Sequence, residues 1–80
     1  MLCVLTGRGR YAGGVDRPVD ADGNPPPEIE LRSPKRFKRA DPRRGNVYIV
    51  DVSVFVRAGV TRDGEPQYVL DRKLTEEVTD

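Results

Sequence analysis

Chemistry at neutral pH usually needs a histidine, a reactive thiol or a cluster of carboxylates, and of these residue types the 80-residue chain is well supplied only with carboxylates, 13 Asp and Glu. There is no histidine, which removes the side chain that most often serves as a general base near neutral pH and as a metal ligand. Cys3 is the single cysteine. It lies in the apolar run MLCVL with no cation cluster in the adjoining sequence to lower its pKa, so it reads as a small buried hydrophobe rather than a nucleophile. One cysteine cannot close an internal disulfide and fits a reducing compartment. One cysteine without histidine also makes no zinc site, so no metal or other cofactor is expected. The expectation is a non-enzymatic protein.

Three short motifs imitate binding sites, and each lacks a part it needs. Gly7-Arg8-Gly9-Arg10-Tyr11-Ala12 has the G-x-G-x-x-A spacing of a dinucleotide-binding turn. The helix that should follow, whose amino end holds the pyrophosphate, is replaced by Gly-Gly-Val-Asp-Arg-Pro. The same stretch imitates an RGG-type nucleic-acid segment, but only one copy is present. Asp20, Asp22 and Asn24 alternate like the start of a calcium loop. Counted from Asp20, position six is Pro25 where glycine is required, and position twelve is Leu31 where glutamate is required. A solvated turn is the expected structure. Pro25-Pro26-Pro27 favours an extended polyproline spacer leading into the next segment.

The remaining candidate is a block of cations. Residues 32–44 hold seven basic groups against one acid, Asp41, a net charge of +6. Residues 1–31 carry −2 and residues 45–80 carry −3, which hides the block inside an overall charge of +1. The candidate contact residues are Arg32, Lys35, Arg36, Phe37, Lys38, Arg39, Arg43 and Arg44. Cations around one aromatic side chain suit contact with phosphate and a stacked base, docking on an acidic protein surface, or a solvated charged loop without a partner. SPKRFKR is also similar to a nuclear import tag. The acidic flanks repel a phosphate backbone and argue against a broad nucleic-acid footprint. Pro34 and Pro42 exclude a long helix across the block, so an extended arm is expected.

The elements that position this block are strands. Val47 to Val56 reads VYIVDVSVFV, rich in β-branched residues and free of glycine and proline. Tyr48, Val50, Val52, Val54 and Val56 alternate onto one apolar face, the expected sheet core together with Tyr68 and Leu70. Asp63-Gly64 signals a hairpin turn. A three-residue loop, 62–64, with Gly64 at its left-handed position, sets Val56 opposite Leu70, Ala58 opposite Tyr68 and Val54 opposite Arg72. Gly59 is a candidate bulge. Short strands are also expected at 2–6 and 28–32. The predicted fold is mainly β with little helix: a small antiparallel sheet of three or four strands, about 2–6, 28–32, 47–58 and 66–73. LTEEVTD is too short to hold a helix alone, so 75–80 is read as a tail.

Length allows one small domain over 1–80. Leu, Ile, Val and Phe make up 20 residues, of which eleven fall in 47–74 and only five in 7–46. The first group is a hairpin core. The second is a low-core arm or loop region, containing the strand 28–32, that must be disordered or ordered against something else. No apolar run approaches the ~20 residues of a membrane helix and nothing is similar to a signal peptide, so no membrane partner is expected and the location is taken as intracellular or within a virus particle. The functional expectation is a small structural or interaction protein, a subunit of a larger assembly such as an accessory or decoration protein of a viral or phage particle. Its partners would be other proteins or copies of itself. The alternative is a nucleic-acid-binding accessory protein that uses 32–44.

Overall fold

A computed structural model of the chain describes residues 1–7 and 10–79. It is mainly β, with no helix among the described residues. Six strands form one curled, open sheet: β1 (Leu2–Gly7), β2 (Arg10–Asp16), β3 (Glu28–Arg32), β4 (Arg36–Asp41), β5 (Gly45–Val60) and β6 (Pro66–Thr79). Their order is β2-β1-β6-β5-β3, with β4 also on β5. Strands β3 and β4 share one edge of β5. The first pairs with Val52–Val56 and the second with Gly45–Ile49.

The architecture departs from the sequence expectation in four places. There are six strands rather than three or four, because the segment expected as an arm also supplies β2 and β4. The sheet is not wholly antiparallel: β1 runs parallel to β6, with Val4, Leu5 and Thr6 beside Gln67, Tyr68 and Val69. The route between β2 and β3 explains this. That connection crosses the ends of β6 and β5, where Arg57 donates its amide to the Pro27 carbonyl (3.2 Å) and the Tyr68 hydroxyl donates to the Pro26 carbonyl (2.5 Å). The first two strands therefore stay on one side of the hairpin while β3 and β4 reach the other. Residues 75–79, expected as a tail, continue β6 beside Val47–Asp51, where β5 still offers unpaired backbone groups.

The fourth departure is in the β5–β6 register. Val54 faces Arg72 and Val60 faces Pro66, but Val56 faces Val69 and Arg57 faces Tyr68. Two compensating bulges, at Asp71 on β6 and at Ala58 beside Gly59 on β5, shift the pairing by one residue over this short span. The shift sets Phe55 against Leu70 and Val56 against Val69, apolar against apolar, where an unshifted ladder would place Phe55 across from Asp71. At the tip the Thr61 amide bonds the Glu65 carbonyl (2.8 Å) and the Gly64 amide bonds the Thr61 carbonyl (3.0 Å). Gly64 has φ 84°, a backbone conformation that glycine adopts without the Cβ penalty.

The curled sheet has two small cores. Cys3, Leu5, Ile29, Phe55 and Tyr68 are buried together on one face, with Val15, Leu31 and Leu70 against them. Val50, Val52 and Val54 are buried on the other face, with Val78 alongside. Of the expected core, Val50, Val52, Val54 and Tyr68 are buried, while Tyr48, Val56 and Leu70 are half-buried. Val47 and Phe55, on the odd face, are buried as well. The molecule measures 53 × 30 × 15 Å with a radius of gyration of 16.0 Å. A compact chain of this length would have a radius of about 12 Å. A thickness of 15 Å leaves room for one sheet and its side chains, since two packed sheets already stand ~10 Å apart between backbones.

Candidate interaction surface

The cation block lies along the β3–β4 edge and its turn. Arg32 closes β3. Lys35 sits in the short Ser33–Lys35 link, where the Ser33 amide donates to the Asp51 carbonyl (2.9 Å) and the Asp51 amide donates to Ser33 Oγ (3.0 Å). These two bonds carry the edge past Pro34, so β3 and β4 act as one interrupted strand. Arg36, Phe37, Lys38 and Arg39 belong to β4, with a bulge at Lys38. Arg43 and Arg44 form the β4–β5 turn. Asp41 Oδ1 accepts the amides of Arg43 (2.9 Å) and Arg44 (3.1 Å), and Gly45 follows with φ 82°. Those two amide bonds hold the Asp41 carboxyl below the usual carboxylate range.

Four of the cations are matched by acids from β5 and β6. Arg32 forks onto both oxygens of Glu76 (2.7 and 3.3 Å) and reaches Glu30 at 3.9 Å. Its guanidinium is raised above the ordinary arginine value by the hydrogen bond to Glu76 and then by that residue's charge. Arg36 meets Asp51 at 3.0 Å. Lys38 (2.5 Å) and Arg39 (3.3 Å) share Glu77, whose carboxyl is pulled below its ordinary value by those two hydrogen bonds. A further pair, Arg72 with Glu28 at 3.7 Å, joins β6 to β3.

These pairs have a structural consequence. Arg32 and Glu76 stand on the two strands that flank β5, so their bond passes over the Val50–Val52 stretch between them. Arg72 and Glu28 likewise bridge the face at Val54. Val52 and Val54 are 1% and 0% exposed although no second sheet covers that face. The aliphatic stems of long charged side chains can bury apolar surface in this way. On the opposite face, Lys38, Arg39 and Glu77 lie across β5 at Val47, which is also 0% exposed.

The outward part of the block is smaller. Phe37 is 62% exposed and meets Tyr48 edge-on, with ring centroids 6.0 Å apart, and Lys35 Nζ stands 4.5 Å over the Tyr48 ring. Arg43 and Arg44 are exposed, and their side chains enter no ion pair among the described residues. Asp63 and Gly64 occupy the β5–β6 tip, remote from the block.

The acids were the partners that sequence reasoning missed. Carrying the Val54–Arg72 register onward pairs Val50 with Glu76 and Ile49 with Glu77. The signal was present, but treating 75–80 as a tail stopped the count too early.

The other candidate motifs form turns and strands. Arg8 and Gly9 of the glycine-rich motif lie outside the described residues, and the segment after them is strand β2, not a helix. Asp20 Oδ1 accepts the amides of Asp22 and Asn24, both at 2.9 Å, and so caps its own turn. No group of three or more His, Cys, Asp or Glu side chains converges among the described residues. An open groove of about 360 Å³ lies between the strands, lined by Gly7, Ala12, Ser53, Phe55, Leu70 and Lys73. Comparison with protein-family models, with curated proteins and with solved structures finds no match for this chain.

Proposed function

We propose that the chain is a small non-enzymatic structural or interaction protein, a subunit of a larger assembly in which neighbouring chains cover its edges and faces. The observation that carries this reading is the single-layer sheet, 15 Å thick, with open strand edges and outward apolar groups. Phe37, Val60 and Leu74 are 62, 60 and 45% exposed. A self-sufficient domain buries such groups between two layers, and an open edge is a template for another chain's strand. Phe37 and the Arg43–Arg44 turn are the parts of the basic edge that face outward for such contact. Arg32, Arg36, Lys38 and Arg39 are held by the sheet's own acids.

A second reading, a nucleic-acid-binding accessory protein, draws on exposed Phe37 and the exposed Arg43 and Arg44 side chains. Salt dependence separates the two. With two phosphate contacts, log K should fall against log salt with a slope of about −2 on duplex DNA, and binding at physiological salt should be weak. All seven cations of 32–44 acting together would give roughly −6. Titration of nonspecific duplex DNA and single-stranded RNA, at several salt concentrations, is the test. Submicromolar binding at physiological salt with the steep slope would overturn the assembly reading.

A further inference from the structure

Among the described residues the sheet has three open edges, and two of them are interrupted. Strand β2 carries a bulge opposite Leu5/Thr6 and Gly13 at φ 126°. The β3–β4 edge is broken at Pro34 and bulged at Lys38. Prolines and bulges of this kind blunt an edge against the addition of a long regular strand. The third edge belongs to β6. Strand β1 covers it only at Gln67–Val69. From there to Thr79 no described residue pairs with it on that side. Arg72–Thr79 keeps an unshifted ladder with Val47–Val54 on its other side and contains no proline or glycine. Its outward amides and carbonyls are therefore evenly spaced.

The side chains of this edge are self-complementary in one orientation. The first half carries Arg72 and Lys73 and the second half Glu76 and Glu77. A parallel copy would stack like charge on like. An antiparallel copy, related by a two-fold axis through Leu74, sets Arg72, which also meets Asp71 and Glu28 of its own chain, opposite the copy's Glu76, which also holds Arg32, and sets Leu74 opposite the copy's Leu74. Lys73 then faces Thr75, with the copy's Glu77 at the diagonal position that long side chains reach. Asp71, the one residue this register would set against an acid, is the bulged residue, and Arg72 holds its carboxylate at 2.5 Å. Leu74, 45% exposed in the single chain, becomes covered. Moving the axis to Thr75 would instead put Leu74 against Glu76.

We infer that the β6 edge, Arg72–Glu76, is a homodimerisation site at which a second copy of this chain adds antiparallel with Leu74 on the two-fold axis. This deepens the assembly reading and rests on it: the first neighbour to dock is another copy.

The test is sedimentation velocity of the purified chain over a wide concentration range, with two kinds of variant. The wild type should form a reversible dimer. Leu74→Lys should weaken the dimer at least about tenfold while its far-ultraviolet circular dichroism matches the wild type, since this side chain is already half-exposed. Under mild oxidation Leu74→Cys should give a disulfide-linked dimer, and Thr75→Cys should link far less. A folded wild type that stays monomeric at high concentration overturns the inference. So does a dimer indifferent to Leu74→Lys, or faster linking of Thr75→Cys. Any of these leaves the assembly reading standing, because a partner of another sequence can still cover the sheet, and that reading has its own tests in the nucleic-acid salt titration and in amide exchange.

Discussion

Replacing Tyr68 by phenylalanine probes how the proline segment is tied to the hairpin. The ring sits at 0% exposure among Cys3, Leu5, Ile29 and Phe55, and Tyr68→Phe keeps that packing. What it removes is the 2.5 Å hydroxyl bond to the Pro26 carbonyl. A carbonyl that loses its donor costs about 1–3 kcal/mol if fully buried. Pro26 is only half-buried, so the lower end applies, about 1–1.5 kcal/mol. For a domain of this size each kcal/mol moves the thermal midpoint by about 4–8 °C, which puts the fall at about 4–12 °C. Urea unfolding should show a lower midpoint with an unchanged slope. A second signature lies at alkaline pH. Burial, and next the neighbouring Cys3, raise the Tyr68 phenol above its ordinary value. The folded state therefore holds this proton more tightly than the unfolded state. That stability is complete below the ordinary phenol value of about 10 and is lost as pH rises through the raised value. The phenylalanine variant should lose less stability over that alkaline range. Equal midpoints for the two proteins at neutral pH, with equal alkaline losses, would refute the role given to the hydroxyl.

Two further perturbations follow from the same geometry. Glu77 is held below its ordinary pKa by Lys38 and Arg39, so its contribution is present above the unfolded carboxylate value and lost as pH falls through the lowered one. Glu77→Gln should flatten the acid limb of a stability-against-pH curve, and an unchanged limb would show that the shared pair is not formed in solution. Gly64 has φ 84° and nothing within 4 Å of where a Cβ would stand. Gly64→Ala should therefore cost about 1 kcal/mol from backbone conformation alone, measured by denaturant unfolding, and Gly64→Asn should cost less.

The hairpin was legible because alternation and turn chemistry act locally. Val50, Val52 and Val54 follow a period of two, and glycine at position 64 marks the left-handed turn residue. The two bulges were not legible. A slip at Asp71 is set by the preference of Phe55 for Leu70 over a charged neighbour, and that comparison needs both strands in place. Strands β2 and β4 carry almost no apolar signal: RYAGGVD and RFKRAD form ladders because β1 and β5 offer them unpaired backbone groups. The parallel β1–β6 contact depends on where the proline segment crosses, a long-range matter that no window of sequence reports. The cation block was visible at once by composition. Its internal neutralisation was hidden because Glu76 and Glu77 lie more than thirty positions away in the chain.

Under the assembly reading proposed above, β5 and β6 form the stable part of a single-layer sheet, while β2 and β4 rely on neighbouring chains. Native-state amide hydrogen exchange on the dilute, isolated chain tests this most directly. The amides of β5 and β6 that face each other should exchange only through global unfolding, and those of β2 and β4 should exchange through local opening at much lower free energy. Uniform protection of 10–16 and 36–41 at the level of the β5–β6 ladder would contradict the claim and mark the chain as a self-sufficient domain.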